Sequence, residues 1–178
     1  MLKHTPIYIL CEFCDIIEIY GRVPRCKSNE QMLAELDALR CRGWRGTVFI
    51  VDDNFIGNKR NVKQRLPAFA QWQERNHFPF TFLTEASLNV SEDDGLLEGM
   101  RRAGFRRVFI RIETPVEESL REACKPQNLR GDLLDAVRKI QRYGREVMGE
   151  FIVGFDNDPE DVFKRQIDFI QRRWRKSL

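Results

Sequence analysis

Between residues 28 and 170 the chain repeats one unit: a stretch of helical apolar period, closed in three cases by a glycine, then a short β-branched and aromatic run and a polar tip. Ser28-Asn29-Glu30-Gln31 has the form of a capping box, in which the serine oxygen and the glutamine side chain each satisfy an orphan backbone amide. Met32, Leu33, Leu36 and Leu39 then share a helical face that stops near Gly43, and the unbroken run 47–51 reads as a strand buried on both faces. A second helix carries Val62, Leu66, Phe69 and Trp72 into a strand over 80–83. A third opens at Ser91, carries Leu96, Leu97 and Met100, and ends at Gly104 before a strand over 107–110. Thr114-Pro115-Val116-Glu117 starts a fourth, combining a capping box with proline at the first helical position. That helix breaks around Pro126, resumes through Leu133, Leu134, Val137 and Ile140, and ends at Gly144 ahead of a strand over 147–155. Asp158-Pro159 caps a fifth helix bearing Val162, Phe163, Ile167 and Ile170.

Alternation this regular requires right-handed crossovers and a parallel sheet, so the fold class is α/β. With 7–10 as a first strand there are about five βα units, short of the eight that close a full barrel. The sheet is therefore either open and doubly wound or part of a barrel. A chain of 178 residues accommodates one domain with a real core. Hydrophobic residues at 42% and charged residues at 32% are a globular balance, and no apolar run approaches the roughly 20 residues that cross a bilayer. Without a membrane span or a cleavable leader the expected location is the cytoplasm. A net charge of +3, from 30 basic and 27 acidic residues, leaves no global footprint for nucleic acid. The local clusters Arg101-Arg102 with Arg106-Arg107, and Arg172-Arg173-Trp174-Arg175-Lys176, read as solvated surface.

Parallel sheets gather their functional groups at the carboxyl ends of the strands. Here the tips read Asp52-Asp53-Asn54, Thr84-Glu85-Ala86-Ser87, Glu113-Thr114 and Asp156. Any one of these carboxylates is ordinarily a helix cap or an ion-pair partner, and Asp156 in particular reads as one near a cap. Together they repel unless cations or donors stand between them. Five cysteines, at 11, 14, 26, 41 and 124, do not form a secreted disulfide framework. The pair Cys11-Glu12-Phe13-Cys14 places two thiolates where they converge on one metal centre. Half of a zinc site, a thioredoxin-like dithiol and ordinary buried cysteines are the plainer readings of that spacing. Gly21 and Pro24 interrupt the helix that a thioredoxin motif opens, and few other zinc ligands remain.

Cys11 to Ile16, Tyr20-Gly21-Arg22-Val23-Pro24-Arg25, Gly43-Trp44-Arg45-Gly46, Val51-Asp52-Asp53-Asn54-Phe55-Ile56-Gly57-Asn58-Lys59, Thr84-Glu85-Ala86-Ser87, Ile112-Glu113-Thr114-Pro115 and Phe151-Ile152-Val153-Gly154-Phe155 occur in an order that resembles radical SAM proteins. Within that superfamily the motifs are most similar to the cobalamin-binding group that includes hopanoid-pathway enzymes. The resemblance implies a partial (β/α)6 barrel of TIM type, here of about five units, holding a 4Fe-4S cluster and S-adenosylmethionine. An electron from the cluster then cleaves the sulfonium bond, and the resulting 5′-deoxyadenosyl radical abstracts hydrogen from a small-molecule substrate. An electron donor such as a flavodoxin or ferredoxin is implied as partner. By the same resemblance Cys11 and Cys14 are cluster ligands, Phe13 lies beside the adenine, and Asp52, Asp53 and Asn54 meet the methionine amine. Glu85 and Ser87 fall near the ribose or carboxylate, Glu113 nearby, and Ile152 and Gly154 along the adenine.

The chain departs from the family pattern at three places. Ile7 stands where the first cluster cysteine belongs, and Arg111 and Glu150 stand where glycine is usual. A long side chain at either of the last two intrudes on the cavity if it faces inward. Family members also carry a cobalamin-binding domain ahead of this region and further barrel sequence after it, so residues 1–178 are expected to form a partial core. Cobalamin is then bound only if another domain supplies its site. Two other readings stand beside a radical enzyme: a noncatalytic binding fragment, and a lyase or hydrolase whose rim carboxylates hold a divalent cation.

Overall fold

The computed structural model describes residues 27–52, 54–122, 128–129 and 132–174. Four parallel strands, β1 (Gly46–Ile50), β2 (Phe80–Ala86), β3 (Phe105–Glu113) and β4 (Glu146–Phe151), lie side by side in chain order. Helix α1 (Asn29–Cys41) precedes β1, and α2 (Lys59–Arg75), α3 (Asp94–Arg102), α4 (Glu117–Glu122), α5 (Leu133–Arg142) and α6 (Val162–Trp174) fill the connections. The strand expected over 7–10 and the break expected around Pro126 lie outside the described residues.

Period-two pleating sorts β2 and β3 into two faces. Phe80, Phe82, Thr84 and Ala86 are buried on one, as are Val108, Ile110 and Ile112, while Thr81, Leu83, Glu85, Phe109 and Arg111 alternate on the other. Against the buried face pack Val62, Leu66, Phe69 and Trp72 of α2 and Leu96, Leu97 and Met100 of α3. Rings of Phe69, Phe82 and Phe105 meet there at centroid distances of 5.6 Å and 5.3 Å. The apolar period thus positions both helices, and α1 joins with Leu36 buried and Met32, Leu33 and Leu39 packed beside it. Its capping box forms with both hydrogen bonds present.

Six expectations change. Strand β1 is an outer strand among the described residues, so only Ile50 is buried; Phe49 is 44% exposed and Val51, past its end, 81%. Ser91 does not open α3: residues Leu88–Glu92 form a 3-10 turn, and Asp93 supplies the cap by accepting from the Leu96 amide at 3.0 Å. Thr114 accepts from Val116 rather than Glu117, so Pro115 precedes α4 instead of sitting in its first turn. Strand β4 stops at Phe151, because the chain turns at Gly154 (φ +101°) and the Asp158 carboxylate accepts from the amides of Gly154 and Phe155 rather than capping α6. On α6 Val162 is buried, whereas Phe163, Ile167 and Ile170 are exposed.

Two tertiary clamps explain why the helix exits and entries hold. Gln73, fully buried, donates through Nε2 to the Phe80 carbonyl at 2.8 Å, and a Cβ at Gly104 (φ +91°) would lie 2.5 Å from that nitrogen. Gly144 has φ +77° but open space around it. Gly104→Ala therefore lowers stability by about 2–4 kcal/mol through backbone strain and a displaced amide, whereas Gly144→Ala costs only the strain, about 1 kcal/mol, both read from urea denaturation.

Lys63 on α2 reaches the Asp93 cap at 2.6 Å, and this hydrogen bond is the largest of the influences that hold the Asp93 carboxyl below its ordinary value. A lowered carboxylate stabilises the fold above the unfolded-state pKa and loses that contribution as pH falls through the folded value. Asp93→Asn should cost about 0.5–1 kcal/mol at neutral pH, and the difference from wild type should vanish in denaturation curves taken in acid.

Candidate functional site

The turn after β1 is stitched onto the tip of β2. Asp52 Oδ1 accepts from the Asn54 amide at 3.0 Å, the Phe55 amide donates to the Glu85 carbonyl at 2.9 Å, and Asn54 Oδ1 accepts from the Ser87 amide and hydroxyl at 3.2 Å and 3.1 Å. Asn89 lies alongside, with its Oδ1 3.0 Å from the Ser87 hydroxyl and its carbonyl accepting from Lys59 Nζ at 2.9 Å. Asp52, Asn54 and Ser87 are thereby brought to one rim.

Glu85 sits just inside that rim on the face turned away from the helices. Arg111 of β3 donates to it through Nη2 at 2.8 Å and lies 4.0 Å from Glu150 of β4. Three neighbouring strands thus carry an acid-base-acid row across one face, and the two residues standing in place of glycines face the same side as Glu85. The guanidinium stands between the carboxylates of the two strands that flank it. Among the described residues no three His, Cys, Asp or Glu side chains gather to hold a metal ion.

Glu113 ends β3 with φ +67°, a left-handed backbone rare outside glycine, and its side chain is buried. The register with β4 shifts between Arg111 and Glu113, and the Glu113 carbonyl accepts from the Ile152 amide at 2.6 Å. The buried Asn128 carboxamide donates to the carbonyls of Arg111 and Ile112, at 3.1 Å each. These bonds over-determine the turn and keep the strained backbone in place. Ile152 is also engaged through its carbonyl, which accepts from Gln166 at 2.8 Å. Gly154 belongs to a separate turn, where Asp158 accepts from Ser119 at 2.7 Å and from the Gly154 amide at 2.8 Å.

Cys11, Phe13, Cys14 and Asp53 lie outside the described residues. Sequence reasoning did not find Asn128, which stands in an aperiodic stretch, or the pairing of Arg111. A base inside an otherwise apolar strand, with acids at the tip of one neighbour and within the other, is the signal that points to that pairing.

The sequence model of the radical SAM superfamily matches residues 9–170. A protein described as an uncharacterized methyltransferase of Synechocystis sp. is 49% identical over 162 residues, which are 91% of this chain and 30% of that protein. The hopanoid C-2 methylase of Rhodopseudomonas palustris is 41% identical over 91% of this chain and 31% of its own length. The chain therefore spans about a third of the curated relatives it matches. Among solved structures, the cobalamin-dependent S-adenosylmethionine radical enzyme OxsB with aqua-cobalamin bound shares the fold at a TM-score of 0.64 and 21% identity, over 83% of this chain and 23% of that one. Methylornithine synthase shares it at a TM-score of 0.60 and 14% identity, over 85% and 43%. Four parallel strands with alternating helices are accordingly part of a barrel of that kind.

Removing the charge with Arg111→Met leaves Glu85 and Glu150 facing each other across β3. The loss should exceed that of Glu85→Gln, and a double-mutant cycle between the two positions should return a coupling of about 0.5–1.5 kcal/mol in urea denaturation.

Proposed function

Because the chain belongs to the radical SAM superfamily, we propose that it is the core on which a 4Fe-4S cluster and S-adenosylmethionine are held for methylation of a small-molecule substrate. A domain of this family implies both cofactors, and the cobalamin-dependent neighbour in fold suits a cobalamin supplied by another domain. The names of the two relatives above, a methyltransferase and a methylase, support the transfer of a methyl group. The observation that carries the reading is the contiguity of the rim: Asp52 and Asn54 share one hydrogen-bonded cluster with Ser87, which joins it from 33 residues along the chain, beside Glu85.

The donor set suits a zwitterionic ligand. Asp52 is exposed at the rim, where a carboxylate favours the methionine ammonium. The Ser87 hydroxyl spends its proton on Asn54 or Asn89 and keeps lone pairs for a ribose hydroxyl. Glu85, neutralised by Arg111, adds an acceptor without adding net charge to the row. In this reading Cys11 and Cys14 hold the cluster, Phe13, Ile152 and Gly154 border the adenine, and Asp53 and Glu113 complete the polar wall. When bound, the two cofactors supply one-electron chemistry at the sulfonium centre, with a flavodoxin or ferredoxin as electron donor. The chain's own contribution is orientation: a carboxylate row fixed by backbone amides and one guanidinium needs no rearrangement when a cationic ligand arrives.

Anaerobic reconstitution with iron and sulfide, reduction, and electron paramagnetic resonance should give a reduced-cluster signal that changes when S-adenosylmethionine is added. Cys11→Ser and Cys14→Ser should abolish it, and Ile7→Cys should raise iron bound per chain. Equilibrium dialysis should show Asp52→Ala and Ser87→Ala weakening S-adenosylmethionine binding about tenfold each, or ~1.4 kcal/mol. A chain that takes up no iron and binds no S-adenosylmethionine in either form overturns the proposal.

A further inference from the structure

Opposite the rim, the turns from α1 into β1, α2 into β2, α3 into β3 and α5 into β4 gather at the starting ends of the strands. Three of the four place glycine at the left-handed position a helix exit uses: Gly43 (φ +84°), Gly104 (φ +91°) and Gly144 (φ +77°). The turn from α2 into β2 instead has His77 and Phe78 at φ +59° and +52°, where a side chain strains against its own backbone. What this conformation achieves is display, since the Phe78 side chain is 57% exposed.

The neighbouring turn displays a second ring. Trp44 is 52% exposed, its indole N–H donates to the Thr47 carbonyl at 3.3 Å, and the two turns are joined where the Gly46 amide donates to the Pro79 carbonyl at 3.3 Å. Around them stand Arg42, Arg45, Arg75, Arg102, Arg106 and Arg142, all exposed. Arg101 and Arg107 at the same end are neutralised by Glu98 and Glu146, and Asp37 and Glu74 are the other acids there. Helix dipoles account for basic residues at helix exits. They do not account for two exposed aromatic rings, one of them held out on strained backbone.

We propose that this end of the sheet docks on an anionic lipid bilayer, with Phe78 and Trp44 entering the interface and the arginines facing headgroup phosphates. Exposed aromatics ringed by arginine are the composition of an interfacial surface. No helix among the described residues is long and apolar enough to cross a membrane, so the contact is peripheral. An electron donor placed here would be separated from the strand tips by the nine residues of β3, about 30 Å.

The test is sedimentation of the 178-residue chain with vesicles of phosphatidylcholine alone or mixed with phosphatidylglycerol, followed also by tryptophan fluorescence. The expected result is binding to the mixed vesicles, weakened by salt and by Arg106→Ser with Arg142→Ser. Phe78→Gly is the decisive variant, because it relieves the left-handed strain and should leave the melting temperature equal or higher while lowering vesicle affinity about tenfold. The proposal is overturned if the mixed vesicles do not retain the chain, or if Phe78→Gly binds them as wild type does. It is equally overturned if that variant instead loses binding to a single-stranded oligonucleotide or loses self-association.

Discussion

The site depends on the pleat of β3. Val108, Ile110 and Ile112 are buried against the helices, so Phe109 and Arg111 must point the other way, and parallel register sets Arg111 beside Glu150. Glu85 reaches the same guanidinium from β2 because it lies on the matching face of that strand. A slip of β3 by one residue would carry Arg111 into the apolar layer and turn Val108, Ile110 and Ile112 out of it, at a cost no local interaction offsets. The apolar row on one face of β3 is therefore what makes the charged row on the other possible.

That row answers, for Glu85, the question posed by the acidic strand tips. Like charges converging on one rim need donors or cations, and among the described residues donors are what the chain provides. Asp52 takes a backbone amide, Asp158 takes two amides and a hydroxyl, and Glu85 takes Arg111. The amide pairings are local, whereas the Ser119 hydroxyl reaches Asp158 from 39 residues away and Arg111 crosses from one strand to the next. Arg111 is thus the residue that converts a repulsive set into a preorganised one, and a glycine in its place would need a ligand to do the same.

How much of this was legible in the sequence follows from how local each signal is. The capping box at Ser28, the core faces of α2 and α3 and the glycine exits at Gly43, Gly104 and Gly144 are short-range patterns, and all were read directly. The exposure of β1 was not, because an apolar run does not say how many neighbours its strand will have. Serine caps helices and Ser91 therefore reads as a helix start, but Asp93 wins with a carboxylate that also reaches Lys63 on another helix. The fifth helix was assigned an apolar face of which Val162 alone is buried, since periodicity identifies a stripe and not what covers it. The left-handed turn at Glu113 carries no sequence signal at all, because glutamate ordinarily avoids it and only Asn128 and Ile152 make it tolerable.

Parallel strands impose a division of labour on the two ends of the sheet. Every helix that leads into a strand ends at the base, so basic residues accumulate there to complement the carbonyl ends. The tips, where helices begin and backbone amides point outward, collect the carboxylates instead. Backbone strain follows the same division: among the described residues the non-glycine positions with positive φ are His77 and Phe78 at the base and Glu113 at the tips. The base does not need strain for folding, as the glycines of its other three turns demonstrate. Strain of this kind persists where surrounding bonds enforce it. At the base they are the amides of His77 and Phe78 held by the carbonyls of Glu74 and Gln73, and at the tip the Ile152 and Asn128 contacts. Each conformation then fixes a particular side chain, a ring displayed to solvent at one end and a buried carboxylate at the other, on either side of one shared core.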